Sequence, residues 1–143
     1  MLTFFVKENS MVKVVYVAVG VIYRDSQFFL TKRSSGSHLG GKWEFPGGKL
    51  ETNETMAQAL ARELKEEVAI DVLSCIPLLT IEHDYGDKQV CLEVFLVDNF
   101  IGEPCALENQ QQQGWFTFLE LTQLDLPEAN IKIIDELEHL VAK

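Results

Sequence analysis

One segment restricts this chain more than any other. It runs from the glycine turn through Gly48-Lys49-Leu50-Glu51-Thr52-Asn53-Glu54 to Arg62-Glu63-Leu64-Lys65-Glu66-Glu67-Val68. Thr55 and Gln58 stand at capping-box spacing, which starts a helix there. Ala57, Leu60, Ala61, Leu64 and Val68 then form an apolar stripe, and Arg62, Glu63, Lys65, Glu66 and Glu67 fall away from it. Glu63, Glu66 and Glu67 follow i, i+3, i+4 spacing, so their side chains are neighbours on one helix. Three like charges repel unless a cation sits among them. Hard oxygen donors suit Mg²⁺ or Mn²⁺, whose usual partners in proteins are substrate phosphates. The segment therefore reads as a device for holding a divalent cation against a polyphosphate.

The flanking sequence supplies a sheet for that helix. Val12 to Tyr23 is valine-rich and apolar, as a strand buried on both faces requires. Arg24-Asp25-Ser26 turns it into a second strand, Gln27 to Lys32, followed by a glycine-bearing loop from Ser34 to Lys42. After the helix, Ile70 to His83 and Gln89 to Phe100 read as strands joined by a hairpin through Tyr85-Gly86-Asp87-Lys88. The polar tract Gln110 to Gln113 reads as a loop, and Gly114 to Phe118 as a short strand. A last helix follows Pro127 with Ile131, Ile134, Leu137, Leu140 and Val141 on its buried side. This order predicts an α/β sandwich, helices packed on a mixed β-sheet.

Composition limits the partners. At 143 residues, 47% apolar and 24% charged, the chain fits one soluble domain spanning residues 1–143. Met11 is an alternative start, which would make the first residues, 1–11 at most, an N-terminal extension. Twelve basic against 22 acidic residues give a formal charge of −10. Such a surface repels nucleic-acid backbones, which argues against polymeric DNA or RNA, whereas a bound metal can invert the field locally for a small anion. Cys75, Cys91 and Cys105 lack C-x-x-C spacing, and reduced thiols in a cytoplasmic protein are expected. The apolar run Leu2 to Val6 is too short for a signal-peptide core, and no stretch is long enough to span a bilayer, so no membrane association is expected.

Gly48, five residues, Glu54, seven residues, Arg62-Glu63-Leu64, one residue, Glu66-Glu67 resembles the Nudix box. The approach Gly40-Gly41-Lys42-Trp43-Glu44-Phe45-Pro46-Gly47-Gly48-Lys49-Leu50-Glu51 is most similar to the MutT branch, whose members are 8-oxo-dGTP diphosphatases and related nucleotide clean-up enzymes. The likeness extends from about Val14 to Leu126-Pro127-Glu128-Ala129-Asn130. It implies a Nudix α/β/α sandwich and Mg²⁺-dependent hydrolysis of a nucleoside triphosphate to the monophosphate and pyrophosphate, with water attacking the β-phosphorus. Mn²⁺ is the alternative metal. The expected role is sanitation of the nucleotide pool, which serves DNA replication and repair, by a monomer or dimer. Oxidised purines, typically 8-oxo-dGTP, are the leading substrate; CTP or 5-methyl-dCTP hydrolysis and a non-catalytic nucleotide-binding module are the alternatives.

The resemblance also implies roles. Glu63 and Glu67 would be the principal metal ligands, with Glu66 as helper, the Gly47 carbonyl as a further donor, and Glu108 joining from a distal loop. An exposed loop acid is the ordinary alternative for Glu108. Arg62 either orients a catalytic glutamate or forms a surface pair with Glu66, and Glu54 either favours the helix N-terminus or reaches the metal through water. Glu63 is the first choice of general base, with Glu54 and Glu108 as alternatives. Arg33 matches a phosphate contact, or is an exposed strand end. Asn130 matches the purine reader, or serves its own helix turn. Phe45 lines the base pocket or fills core; His38 and Trp43 shape the loop, with His38 also a substrate-binding candidate. His83 and His139 receive no role. One residue departs from the family pattern: Ala69 stands where glycine usually closes the helix.

Overall fold

The computed structural model describes residues 2–7, 10–34, 40–107 and 110–141. Its strands are β1 (Leu2–Lys7), β2 (Ser10–Arg24), β3 (Gln27–Arg33), β4 (Trp43–Glu44), β5 (Gly47–Lys49), β6 (Asp71–Asp84), β7 (Lys88–Ile101) and β8 (Gln110–Phe116). The helices are α1 (Met56–Val68), α2 (Phe118–Leu121) and α3 (Ile131–Val141), the last preceded by a 3₁₀ turn over Glu128–Asn130. Among the described residues the strands form one sheet in the order β4-β3-β2-β7-β6, with β1 and β5 also pairing β2, and β8 pairing β3. Only β2 and β7 run parallel among these pairs, so the sheet is mixed.

Alternation along β2 explains the two layers of core. Ala18 and Ile22 face α1, with Leu60, Leu64 and Val68 beneath them. Val19 and Val21 face the opposite way, against Leu121 of α2 and Ile133 and Leu137 of α3. Helices thus cover both faces of a sheet whose central strand is apolar on each, giving the expected α/β/α sandwich. None of the helices among the described residues is long and apolar enough to cross a membrane.

The structure moves several boundaries. The polar tract Gln110–Gln113 is strand rather than loop, because its backbone continues the ladder with β3, through Leu30↔Gly114, Thr31↔Gln113 and Lys32↔Gln112. Gln112 and Gln113 are exposed, so a polar sequence costs this strand nothing. The region read as the strand's end instead begins α2, capped by Thr117. In α1 the buried alanine is Ala59, not Ala57, which is exposed. The packed face is therefore rotated towards the Glu63 and Glu67 flank. In α3, Ile133 is buried while Ile131 and Val141 are exposed, because the helix turns Ile133 and Leu137 towards the sheet.

Candidate active site

The helix start positions the acids. Thr55 Oγ1 accepts the Gln58 N–H at 3.1 Å, and Gln58 Oε1 accepts the Thr55 N–H at 2.9 Å, completing the capping box. At the other end Ala69 adopts φ 62°, ψ 32°, the left-handed conformation expected of a closing glycine. Its N–H bonds the Leu64 and Lys65 carbonyls.

The glycine turn lies against β2. The Gly20 N–H donates to the Pro46 carbonyl at 2.8 Å, and the Leu50 N–H to the Tyr16 carbonyl at 3.0 Å. A Cβ at Gly47 would collide with the Ala18 carbonyl, and one at Gly48 would overlap the Glu63 carboxylate. Both positions thus exclude side chains. The opening at Gly48 is what Glu63 occupies, while the Gly47 N–H donates to Glu67 Oε2 at 3.3 Å.

Arg62 organises the surrounding carboxylates. Its Nε and Nη2 hold the two oxygens of Glu54 at 2.7 and 3.0 Å, and Nη1 holds Glu63 Oε1 at 2.7 Å. Nη2 also donates to the Lys49 carbonyl at 3.0 Å, tying the helix to the end of β5. The contact with Glu66 is longer, at 3.5 Å. Arg62 is thus much more than half of a surface pair with Glu66. Its hydrogen bonds, with support from the Glu51 N–H, bring the Glu54 carboxyl from an ordinary 4.5 down to about 2. The same hydrogen bond to Glu54 raises the Arg62 pKa further above its usual value.

Beside these acids is a cleft of about 500 Å³. Val15, Val17, Val90 and Leu92 form its apolar floor, and Glu63 and Glu67 line one side. Arg33 and Glu44 line it too, as does Asn130, which ends the 3₁₀ turn. Phe45 also lines it, although it is only 4% exposed and packs in the core under α3. Glu54, Arg62 and Glu66 are not on the cleft wall; Glu66 is exposed and the other two lie behind Glu63. His38 and Glu108 lie outside the described residues. The segment leading to Glu108 is docked on the end of α1: the Cys105 and Leu107 N–H groups donate to the Val68 and Glu67 carbonyls at 3.0 and 2.8 Å.

Among the described residues no three acidic, histidine or cysteine side chains already converge on one point. Glu63 and Glu67 nevertheless fit a hard cation: both are carboxylates on the cleft wall, and Gly48 leaves the space that Glu63 uses.

Glu44, Tyr85 and Lys88, which the sequence did not single out for the site, line the cleft, as does His83, which was given no role. Strand parity was the signal for two of them. Ile81 of β6 and Leu92 and Val94 of β7 belong to the core under α3, so His83, and Lys88 with Val90, follow on that same face. Cys75, Cys91 and Cys105 are free thiols, and burial raises the pKa of the first two.

A NUDIX domain model matches residues 17–136. The chain belongs to the NUDIX family. Members generally act with a divalent metal. Similar NUDIX proteins include an 8-oxo-dGTP diphosphatase of Proteus vulgaris, 49% identical over 92 residues, covering 64% of this chain and 82% of that protein. The 8-oxo-dGTP diphosphatase of Escherichia coli K12 is 36% identical over 129 residues, covering 90% and 99%. An E. coli CTP pyrophosphohydrolase is 32% identical over 123 residues, covering 86% and 90%. Among solved structures, the E. coli ORF135 protein superposes with a TM-score of 0.82 at 30% identity, covering 92% of this chain and 93% of that one.

Proposed function

We propose that this protein is a Mg²⁺-dependent pyrophosphohydrolase that converts oxidised purine nucleoside triphosphates, 8-oxo-dGTP foremost, to the monophosphate and pyrophosphate. The observation that carries this reading is the cleft itself. It sets Glu63 and Glu67 beside the glycine turn, in one cavity with Arg33 and Asn130 over an apolar floor. That arrangement suits a substrate with a flat base at one end and a polyanion at the other.

Glu63 and Glu67, with the Gly47 carbonyl, would hold the metal, and Glu66 and Glu108 are the further candidates. When bound, the cation neutralises phosphate charge and makes water a better nucleophile. Glu63 is the general base in this reading. Arg62 pins one of its carboxylate oxygens at 2.7 Å, which fixes how the group faces the cleft. Glu54 holds Arg62 in turn and so sets Glu63 indirectly. Arg33 offers a guanidinium to the phosphates. Asn130 presents a donor and an acceptor to the base edge, and a site built on matched polar groups rejects bases that leave them unpaired. In this reading the protein works on the cytoplasmic nucleotide pool, as a monomer or dimer.

The kinship with a CTP pyrophosphohydrolase supports one second reading, a pyrimidine triphosphate substrate. A panel of ordinary and damaged triphosphates, ranked by kcat/KM with pyrophosphate and orthophosphate measured separately, tests both. The expected result is pyrophosphate release with 8-oxo-dGTP ranked first. The Asn130→Ala variant should narrow the gap between 8-oxo-dGTP and dGTP. A panel led by CTP or 5-methyl-dCTP would replace the purine reading with the pyrimidine one, and absence of pyrophosphate from every substrate would leave a binding module.

A further inference from the structure

Glu44 is an acid in a cleft read as receiving a polyanion, where an unneutralised carboxylate would repel the substrate. Among its partners is Arg33, whose Nη1 reaches both Glu44 oxygens, at 3.3 and 3.2 Å. The Glu44 side chain is 18% exposed and that of Arg33 36%, so solvent screens this pair less than a surface pair.

The two ends of the pair are anchored differently. Glu44 is on β4, fixed by the ladder Thr31↔Glu44 and Lys32↔Trp43. The Trp43 N–H also donates to the Asp125 carbonyl at 2.9 Å, and Lys42 Nζ reaches Asp125 Oδ1 at 2.9 Å. Arg33 ends β3, just where the register with β8 shifts; its N–H donates to the Lys42 carbonyl at 3.1 Å and its carbonyl accepts the Gly41 N–H at 3.2 Å, which hold its backbone but not its guanidinium. Its Nε is buried and has no hydrogen-bond partner among the described residues. The orientation of the guanidinium is thus left to its Nη1 contact with a rigidly mounted carboxylate.

We propose that Glu44 is a positioning residue for substrate binding: it holds the Arg33 guanidinium at the cleft for the substrate phosphates, and it affects the substrate only through Arg33. This rests on the triphosphate reading above. A neutral residue at position 44 would leave the guanidinium free to leave the orientation that meets phosphate, so the loss belongs in KM and not in the chemical step.

The test is a double-mutant cycle on the preferred triphosphate, with near-ultraviolet circular dichroism and melting temperature checking the fold of each variant. Glu44→Ala and Arg33→Ala should each raise KM by roughly tenfold, the size expected for losing a charge-assisted contact, with kcat moving far less. Glu44→Gln keeps an acceptor oxygen and should fall between wild type and Glu44→Ala. The double variant should bind no worse than Arg33→Ala alone. Losses that multiply in the double variant would overturn the proposal, because Glu44 would then act independently of Arg33. An unchanged KM in Glu44→Ala, or a loss confined to kcat, overturns it equally. Wild-type protein that turns over no triphosphate would overturn the functional reading and this proposal together, whereas an active wild type with multiplying losses sinks only the role of Glu44.

Discussion

At the scale of single residues, the backbone at Ala69 and the charge on Glu54 both carry measurable consequences. Ala69 sits at φ 62°, where a Cβ is disfavoured and glycine is not. The relief available is about 1 kcal/mol, which for a domain of this size raises the melting temperature by roughly 2–4 °C. Ala69→Gly should show that gain in calorimetry with catalysis retained; no gain would mean the surrounding cap already absorbs the strain. Glu54 has the opposite kind of signature. Its carboxyl titrates near 2 in the folded protein against an ordinary 4.5, because Arg62 and the Glu51 N–H favour the charged form. A depressed acid contributes stability that is complete above the unfolded value and disappears as pH falls through the folded one. Urea midpoints should therefore decline between about pH 4.5 and 2, and Glu54→Gln should flatten that part of the profile while lowering stability at neutral pH. A variant with the wild-type slope would place the acid sensitivity elsewhere.

At the scale of elements, what could be read in advance depended on whether a side-chain pattern or a backbone partner determined the structure. Helix α1 was legible at its start, since Thr55 and Gln58 have a local physical reason for their place, whereas its close at Ala69 followed only from the family resemblance, because alanine does not favour that conformation. Strand β8 was not, because Gln110 to Gln113 carry no apolar alternation and become strand only by pairing with β3, a non-local event. The phase of α1 was similarly half-hidden. Alanine is nearly neutral, so Ala57 and Ala59 could not declare which faces the sheet, and only packing on Gly20 and Ile22 decides it. That rotation matters for the site, since it brings Glu63 and Glu67 to the cleft while Glu66 stays exposed. Glu44 and Lys88 escaped notice because the cleft is assembled from strands far apart in sequence. The element that carries core on one flank also carries the proposed base, so the two can be separated experimentally. Glu63→Gln keeps the shape of the side chain at Gly48 and should leave the far-ultraviolet spectrum unchanged. Its turnover should fall by about 10²–10⁴, the usual worth of a general base. Turnover within about threefold of wild type would remove Glu63 from that role.

At the scale of the whole molecule, a formal charge of −10 opposes the binding of any triphosphate. The long-range field and the proposed substrate are compatible only if cations change the sign locally, with Arg33 and a divalent ion as the means. Glu63 and Glu67 still share the cleft as like charges, with Arg62 bonding Glu63 but not Glu67, so a cation that joins them also favours the folded state. Metal at a hundred times its dissociation constant should add about 2.7 kcal/mol. For a domain of this length that corresponds to a rise of roughly 5–10 °C in melting temperature. NaCl at matched ionic strength separates this from general screening, which acts on all exposed charges alike. Mg²⁺ should therefore raise the melting temperature well beyond NaCl, and the Glu63→Gln/Glu67→Gln double variant should lose most of the excess. Equal effects of the two salts, or an excess that survives in the double variant, would mean that the acids of α1 bind no ion at the cleft. Among the described residues, the negative field would then be offset at the cleft by Arg33, Lys49 and Lys88 without a metal, and metal-assisted triphosphate hydrolysis there would lose its physical basis.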